Sequence, residues 1–317
     1  MPRIVRIATS AIATFEDTAP PFNLRHPDPA ATRALGLSLL DAAGRQGVDL
    51  ACLPEGFLGA GLPASRLRGV AEPIPGPTFD AIAGLARTHR MNVVAGLFTI
   101  ADGRLYNIAV LIGRDGQLIG RYAKRHPTEG EIEGGVMPGR DAPVFETDFG
   151  RVGLAICFDI NWPALWSELK AQGAELVCWL SAYEGGLPLR ALAWTHQLPI
   201  VTSVWPYHAR IVERTGKIAA ETSRWSQLAL AELDLDKRLF HTDGQACHIL
   251  AIQARYGAAI RVESFSEEHI FTLESRDPAL SLDDVVAAFG LVEFEAYIAR
   301  CTAAQHEARR ALADAPA

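Results

Sequence analysis

The sequence lacks the long apolar runs of a membrane protein. None of its 317 residues fall in an uninterrupted hydrophobic stretch of the roughly 18 residues that a membrane-spanning helix requires. It also has no excess of positive charge, since 30 Lys and Arg stand against 37 Asp and Glu and give a net charge of −7. Because nucleic-acid binding relies on clustered Lys and Arg, we expect neither a nucleic-acid nor a membrane partner.

Cysteine is scarce and irregularly placed. The five cysteines have no CxxC spacing, which argues against a structural zinc site: Cys52, Cys157, Cys178, Cys247 and Cys301. Their odd number and wide spacing are typical of reduced thiols in a reducing compartment. The N-terminus has only a short apolar stretch, which fits a first strand better than a signal peptide. We therefore expect a cytoplasmic protein that depends on neither disulfides nor metal.

Short apolar runs alternate along the chain with segments of helical periodicity. The runs predict strands at residues 4–10, 48–54, 92–100, 106–113, 151–157, 175–181, 199–205 and 228–236. The helical segments are residues 30–47, 78–90, 162–173 and 188–197. This alternation indicates β-α-β units whose strands are covered on both faces.

Two turn signals predict antiparallel hairpins within that pattern. Asp115-Gly116 and Thr215-Gly216 each lie between apolar runs, so the sheets should be mixed. Residues 125–143 form a long irregular stretch with three glutamates, and a loop of that length is usually functional. Towards the C-terminus, residues 259–265 predict a strand and residues 282–300 a helix.

Cys157 ends the predicted strand in GLAICFDINWP, and Asn161 is a suitable N-cap for the helix that follows. The cysteine is either a buried strand residue or a nucleophile at the carboxyl end of the strand, where α/β proteins place their sites. A nucleophilic thiol needs a base or a cation beside it. No histidine is linked to Cys157 by its position, whereas Glu55 ends one predicted strand and Lys124 ends another.

Three motifs around these residues carry a family resemblance. LPEGF around Glu55, RYAKRHPTEGE around Lys124 and GLAICFDINWP around Cys157 resemble, in order and spacing, the Glu-Lys-Cys triad of the nitrilase superfamily, the carbon-nitrogen hydrolases. The resemblance extends over roughly residues 3–236. It implies a four-layer α-β-β-α sandwich with two mixed β-sheets, no cofactor, and assembly into a homodimer or higher homo-oligomer. We expect a hydrolase domain at residues 1–240 and a C-terminal extension at 241–317, packed on the same domain or on a partner.

The resemblance also implies roles for the site residues. Glu55 would be the general base, Cys157 the nucleophile, and Lys124 with the backbone N–H of Phe158 would stabilise the oxyanion. Many family members use a second glutamate after the lysine. Here Glu129, Glu131 and Glu133 are candidates; Glu131 is favoured and Glu133 comes next.

The residues after Cys157 bear on the substrate. Nitrile hydrolases typically have Trp-Glu there, whereas this chain has Phe158-Asp159, which favours a linear amide or N-carbamoyl substrate over the alternative of a nitrile. Arg190 would bind a substrate carboxylate or pair with a surface acid. Aromatic residues expected in the substrate pocket are Phe57, Phe158, Trp162 and Tyr183.

Overall fold

The computed structural model of the protein describes residues 2–13 and 28–313. Twelve strands form its two large sheets: β1 Ile4–Ser10, β2 Leu50–Cys52, β3 Asn92–Ala101, β4 Arg104–Ile112, β5 Leu118–Ala123, β6 Val144–Glu146, β7 Arg151–Ile156, β8 Leu176–Ser181, β9 Ile200–Val204, β10 Arg210–Val212, β11 Ile218–Glu221 and β12 Leu228–Asp234. Each of the eight predicted strands is present, with ends that match the prediction or lie within two residues of it.

The two sheets have related topologies. One has the strand order β12-β1-β2-β3-β4-β5 and the other β11-β10-β9-β8-β7-β6. In the first sheet β1, β2 and β3 are parallel, and β4 and β5 follow as antiparallel neighbours. In the second, β7, β8 and β9 are parallel, with antiparallel strands at both edges. Both sheets are mixed, as predicted.

Helices cover the outer faces of the stacked sheets. α1 (Pro29–Arg45) and α2 (Pro77–His89) share one apolar core with the first sheet. α4 (Pro163–Ala171) and α5 (Gly186–His196) share another with the second sheet, and α3 (Glu129–Glu133) lies between β5 and β6 along the chain. The inner faces of the sheets contact each other through β2 and β9, β3 and β8, and β4 and β7. The predicted α-β-β-α sandwich is therefore confirmed.

Local signals explain several element boundaries. The Asp28 carboxylate caps α1 by accepting the N–H of Ala30 at 2.9 Å, and Pro29 occupies the first helical position. Both predicted hairpins are present, and Gly116 and Gly216 each adopt a positive φ of 77°. Only glycine takes that conformation without a steric cost, so these two residues set the turns.

Three sequence expectations were wrong. The stretch 125–143 is not wholly irregular, because Thr128 and Glu131 form a capping box that starts α3. Asn161 does not cap α4: its side chain donates to Phe158 O at 3.1 Å, and Trp162 occupies the cap position. The helix predicted at 282–300 is two helices, α7 (Leu282–Phe289) and α8 (Phe294–Ala313), since Gly290 in the left-handed region ends the first.

The chain divides into two compact units, one of residues 5–233 and one that joins residues 234–313 to residues 2–4. The smaller unit contains β13 (Arg238–His241), β14 (Ile260–Phe265) and β15 (Ile270–Ser275), in the order β13-β15-β14. Its helices are α6 (Ile249–Tyr256), α7 and α8. Phe240, Phe271, Leu273 and Val285 belong to its own apolar core. The predicted role of the extension against the domain or a partner stays a prediction.

Candidate active site

Three strand ends supply the central side chains of the site. Glu55 lies three residues beyond β2, Lys124 directly follows β5, and Cys157 directly follows β7. β5 runs in the same direction as β2, because β4 reverses the chain between β3 and β5. The carboxyl ends of these strands therefore meet, at the place where α/β proteins build ligand sites.

Lys124 is held between two carboxylates. Its Nζ lies 2.7 Å from Glu55 Oε1 and 2.6 Å from Glu131 Oε2. The Lys124 side chain is 1% exposed and that of Glu55 is 5% exposed, so the pair is almost wholly shielded from water. A buried ammonium is stable only with such partners, which fixes its position.

Asn107 on β4 joins the same two carboxylates from another direction. Its Nδ2 donates to Glu55 Oε1 at 2.7 Å and to Glu131 Oε1 at 2.9 Å. Lys124 and Asn107 thus each bridge Glu55 and Glu131, and the four side chains close a ring of hydrogen bonds. Sequence reasoning did not identify Asn107, which stands in the apolar run YNIAVLIG.

Glu131 is placed by the cap of α3. Thr128 Oγ1 accepts the N–H of Glu131 at 3.3 Å, and the N–H of Thr128 donates to Glu131 Oε2 at 2.8 Å. The same carboxylate faces Lys124, whereas Glu129 and Glu133 are exposed on either side of it. The capping-box pattern Thr-x-x-Glu in TEGE was the sequence signal that distinguishes Glu131 from its neighbours.

Cys157 sits in a sharp turn at the end of β7. Its φ is +47°, in the left-handed region that a non-glycine residue rarely adopts, and a short 3-10 helix runs on to Asn161. Trp179 Nε1 donates to the Cys157 carbonyl at 3.0 Å, and Cys157, Glu55 and Lys124 line the same cavity. The turn directs the thiol towards Glu55 and Lys124, so Cys157 is not a simple strand residue of the core.

The surroundings shift the pKa values of the groups in this cluster in different directions. Burial raises the pKa of the Cys157 thiol well above its ordinary range, and the negative charge of Glu55 adds to this effect. Burial also raises the pKa of Glu55, against the lowering effect of Lys124. Burial opposes the shift at Glu131, but Lys124 outweighs it and lowers the pKa of that carboxyl. Burial would likewise lower the pKa of Lys124, yet Glu55, Cys157 and Glu131 together raise it. The resting site therefore holds a neutral thiol, an ammonium and a carboxylate of raised basicity.

Asp159 fastens the turn that carries Cys157. It is fully buried, and its Oδ2 accepts the Tyr122 hydroxyl at 2.7 Å and the N–H of Ile156 at 2.9 Å. Its Oδ1 accepts two bonds from His126, the backbone N–H at 3.0 Å and Nδ1 at 2.7 Å. Tyr122 and His126 flank Lys124 in the sequence, so one carboxylate ties the Lys124 segment to the Cys157 turn. From the sequence, Asp159 was only an indicator of substrate type.

A cavity of about 280 Å³ opens beside the thiol. The residues lining it are Glu55, Leu62, Ala64, Leu67, Phe98, Lys124, Thr128, Gly130, Glu131, Cys157, Ala182 and Trp205. The Ala182 N–H donates to Glu55 Oε2 at 2.9 Å, and Trp205 Nε1 donates to the Glu55 carbonyl at 2.7 Å. The cavity is of the size that a small molecule requires.

None of the four aromatic residues expected in the pocket lines this cavity. Phe57 is fully buried in the core, where its ring fits against Gly36 of α1. Trp162 stacks on His126 with ring centroids 4.1 Å apart, and Phe158 meets its edge. Tyr183 is half-buried against Trp179, and burial together with the charges of Cys157 and Glu55 raises its pKa. Tyr183 therefore lies near the cluster without lining the cavity.

Arg190, the residue expected to bind a substrate carboxylate, is also outside the cavity lining. It is exposed on α5, and its Nε donates to the Gly216 carbonyl at 2.8 Å. Arg190 is bound to this backbone carbonyl and does not contact the cluster around Cys157.

Residues 2–13 and 28–313 contain neither a cluster of metal-ligating side chains nor a membrane-spanning helix. No group of three or more His, Cys, Asp or Glu side chains there is arranged to hold a metal ion. Each helix described in these ranges is too short or too polar to span a lipid bilayer.

Comparison with known proteins places this geometry in a family. A hydrolase of Mycobacterium tuberculosis is 37% identical over 178 residues, which cover 53% of this chain and 61% of the relative, so the match spans less than two thirds of that protein. The deaminated glutathione amidase of Synechocystis is 30% identical over 230 residues, covering 63% of this chain and 84% of the relative. The solved structure of an amidase from Nesterenkonia has a TM-score of 0.64 at 21% identity, covers 73% of this chain and 91% of its own, and shares the fold.

The family model of the carbon-nitrogen hydrolases matches residues 18–238, a range that includes Glu55, Lys124, Glu131 and Cys157. This range is more than half of the sequence, and it contains all three motifs that resembled the nitrilase superfamily. The chain belongs to the carbon-nitrogen hydrolase family.

Proposed function

We propose that the protein is a cysteine-dependent hydrolase of a linear amide or an N-carbamoyl compound. The observation that carries the proposal is that Cys157 lines one cavity together with Glu55 and Lys124, whose Nζ lies 2.7 Å from the Glu55 carboxylate. A base and a cation beside a thiol are what nucleophilic catalysis needs where no histidine assists.

The first half of the reaction forms a thioester. Because the raised pKa of Cys157 keeps the resting thiol protonated, its proton passes to Glu55 as sulfur attacks the substrate carbonyl carbon. The carbonyl π electrons move to oxygen and give a tetrahedral oxyanion. Glu55 then returns the proton to the leaving nitrogen, the C–N bond breaks, and ammonia or an amine departs.

The second half regenerates the enzyme. Glu55 takes a proton from water as the water oxygen attacks the thioester carbon. The new tetrahedral intermediate collapses with cleavage of the C–S bond, and the sulfur recovers the proton as the acid leaves. The raised pKa of Glu55 suits both directions of transfer, because a base works best when its pKa is near the working pH.

Lys124 and the backbone N–H of Phe158 are the proposed oxyanion donors. The Lys124 ammonium has three hydrogens, and Glu55 and Glu131 accept two of them. The third is available for the developing oxyanion, and one well-aimed donor of this kind contributes about 3 to 4 kcal/mol.

The experiment pairs ammonia release with intact-mass detection of the acyl-enzyme, over a panel of linear amides, N-carbamoyl amino acids and nitriles. Cys157→Ala should abolish both signals for every substrate, while Cys247→Ser, at an exposed cysteine in the smaller unit, should retain them. Turnover that survives Cys157→Ala would overturn the proposal. Conversion of a nitrile to its acid at rates equal to those of the amides would make the enzyme a nitrilase instead. A cytoplasmic location and a homo-oligomeric state stay predictions.

A further inference from the structure

One side of the cavity beside Cys157 is an apolar wall formed by Leu62, Ala64, Leu67 and Phe98. Ala64 and Leu67 belong to the 3-10 helix Ala64–Val70, and Phe98 comes from β3. Leu105 and Val136 pack behind Leu67 and Phe98 in one buried cluster. The wall is therefore the exposed surface of a small apolar core, and it is fixed in place by that core.

The charged side chains that line the cavity already bind one another. Among the lining residues that the structure describes, the charged ones are Glu55, Glu131 and Lys124, and two carboxylates with one ammonium sum to −1. Two hydrogens of Lys124 are bound by those carboxylates at 2.7 and 2.6 Å. A carboxylate on the substrate would meet net negative charge and apolar side chains, and burying such a charge without a partner is costly.

We infer that the acyl part of the substrate is uncharged and aliphatic, and that the apolar wall selects it. This inference rests on the proposed function. Leu62 and Leu67 are then specificity-determining residues. An acyl chain seated on the wall gains from apolar burial, whereas a chain ending in a carboxylate loses its hydration there.

The test uses two amides of nearly equal shape. In 4-methylpentanamide an isopropyl group replaces the carboxylate of succinamate, so the two differ mainly in charge. We expect kcat/KM for ammonia release to be at least 100-fold higher for 4-methylpentanamide. Half-buried Leu62 offers the matched variant, since Leu62→Arg should raise kcat/KM for succinamate and lower it for the neutral amide.

The outcomes separate this inference from the proposed function. Equal or faster turnover of succinamate by the unmodified enzyme would overturn the inference and leave the hydrolase activity in place. Absence of an acyl-enzyme with either amide, and with every member of the wider panel, would overturn both. The comparison of the two amides on the unmodified enzyme decides the matter even if Leu62→Arg does not fold.

Asn107 supports a second inference from a different observation. Its side chain is 1% exposed, both Nδ2 hydrogens go to Glu55 and Glu131, and its Oδ1 is buried without a partner among the described residues. The reverse orientation would set an oxygen against two carboxylates, so the amide orientation follows from its partners. A core position with no task beyond packing would favour an apolar residue here.

We also infer that Asn107 is a positioning residue that offsets the repulsion between Glu55 and Glu131 and keeps Glu55 ionised. The other groups that face Glu55 are Lys124 and Cys157, with Tyr183 nearby. Without the bridging amide the carboxylates lose one shared donor, so Glu55 should take up a proton at higher pH.

Asn107→Leu removes the donor at nearly constant volume. We expect the acid limb of the kcat/KM profile to move to higher pH. Relative to the unmodified enzyme, kcat/KM should fall tenfold or more at pH values on the acid side of the shifted limb, and less at higher pH. The pH dependence of Cys157 alkylation by iodoacetamide should move in the same way, and it requires no turnover. An equal loss at every pH in a variant that unfolds at the same temperature would overturn the positioning role. If the variant is unstable, Asn107→Asp tests the same shift in the same direction.

Discussion

The Tyr122 hydroxyl donates to the Asp159 carboxylate at 2.7 Å, and this contact joins β5, which Lys124 follows, to the turn that begins at Cys157. The same hydroxyl accepts the N–H of Arg125 at 3.0 Å. Asp159 is fully buried, so each of its donors helps to stabilise a charge that water cannot reach. The relative placement of Lys124 and Cys157 thus depends on side chains that lie outside the cavity lining.

Tyr122→Phe should therefore lower both stability and activity. A hydrogen bond to a charged group contributes about 1.5 to 3 kcal/mol, and the free energy of unfolding should fall by that amount. We expect kcat to fall about tenfold as the Cys157 turn loosens, with a smaller change in KM. Denaturant unfolding and steady-state kinetics measure the two effects. Tyr106→Phe, on neighbouring β4, controls for the loss of a phenol hydroxyl outside this network. Unchanged kcat in Tyr122→Phe would show that Asp159 holds the turn without it.

Glu55→Gln should abolish the pH dependence of the reaction on its acid side. Burial raises the pKa of Glu55 above its ordinary value of 4.5, so the carboxylate becomes protonated as the pH falls through that raised value. A protonated Glu55 cannot accept the thiol proton, and kcat/KM should fall with it. Gln cannot accept that proton at any pH, so a loss of about 10² to 10⁴ in kcat/KM is expected without an acid limb. An acid limb that persists in Glu55→Gln would assign the titration to another group.

Glu131→Gln should destabilise the protein at neutral pH and lose this effect in acid. Lys124 lowers the folded-state pKa of Glu131 against the effect of burial, so ionised Glu131 stabilises the fold above its unfolded pKa, ordinarily 4.5. That contribution disappears as the pH falls through the lower folded-state pKa. We expect a loss of about 1 to 3 kcal/mol at pH 7, since a charge-assisted bond becomes a neutral one.

Chemical unfolding of both proteins between pH 7 and pH 3 measures this difference. Glu133→Gln, on the same helix and exposed, is the matched control. It should leave the free energy of unfolding almost unchanged at every pH in this range. A difference between Glu131→Gln and the parent that stays constant down to pH 3 would contradict the ion pair as its source.

Gly96→Ala should displace the backbone of Glu55. A Cβ at Gly96 would lie 2.5 Å from the Pro54 carbonyl oxygen and 2.6 Å from Glu55 Cα, so the backbone that carries the base must move. Overpacking of this kind costs about 1 to 3 kcal/mol, and we expect kcat/KM to fall tenfold or more. Thermal unfolding and kinetics are the measurements. Gly84→Ala is the control, because no heavy atom lies within 4 Å of its added Cβ and alanine favours its helix.

The main elements of the fold follow from local patterns in the sequence. Apolar runs marked the eight predicted strands, and Gly116 and Gly216 marked the two hairpins. Departures occurred where a local signal was overlooked. Thr128 and Glu131 start a helix inside a presumed loop, and Gly290 divides a helix that its apolar residues would extend.

The residues that line the cavity beside Cys157 were not identified from the sequence, apart from Glu55, Lys124, Glu131 and Cys157, for a physical reason. Phe57 follows Glu55 closely in the sequence, but Gly36 leaves room for its ring in the core, and the wall of the cavity comes instead from Leu62, Leu67 and Phe98. Which side chains face a cavity depends on how loops and helices pack over the strand ends. A single sequence carries no local signal for that packing.

The sequence by itself determined which residues follow the strands: Glu55, Lys124 and Cys157 stand where apolar runs stop, and their motifs indicated the family. Only the tertiary structure decided that Asn107 bridges two carboxylates, that Asp159 ties Tyr122 and His126 to the Cys157 turn, and that Arg190 lies apart. Strand ends are set by neighbours along the chain, whereas these contacts are set by sheet register and by the stacking of two sheets. They join residues as far apart as 52 positions, for Glu55 and Asn107, and no short pattern encodes such a pairing.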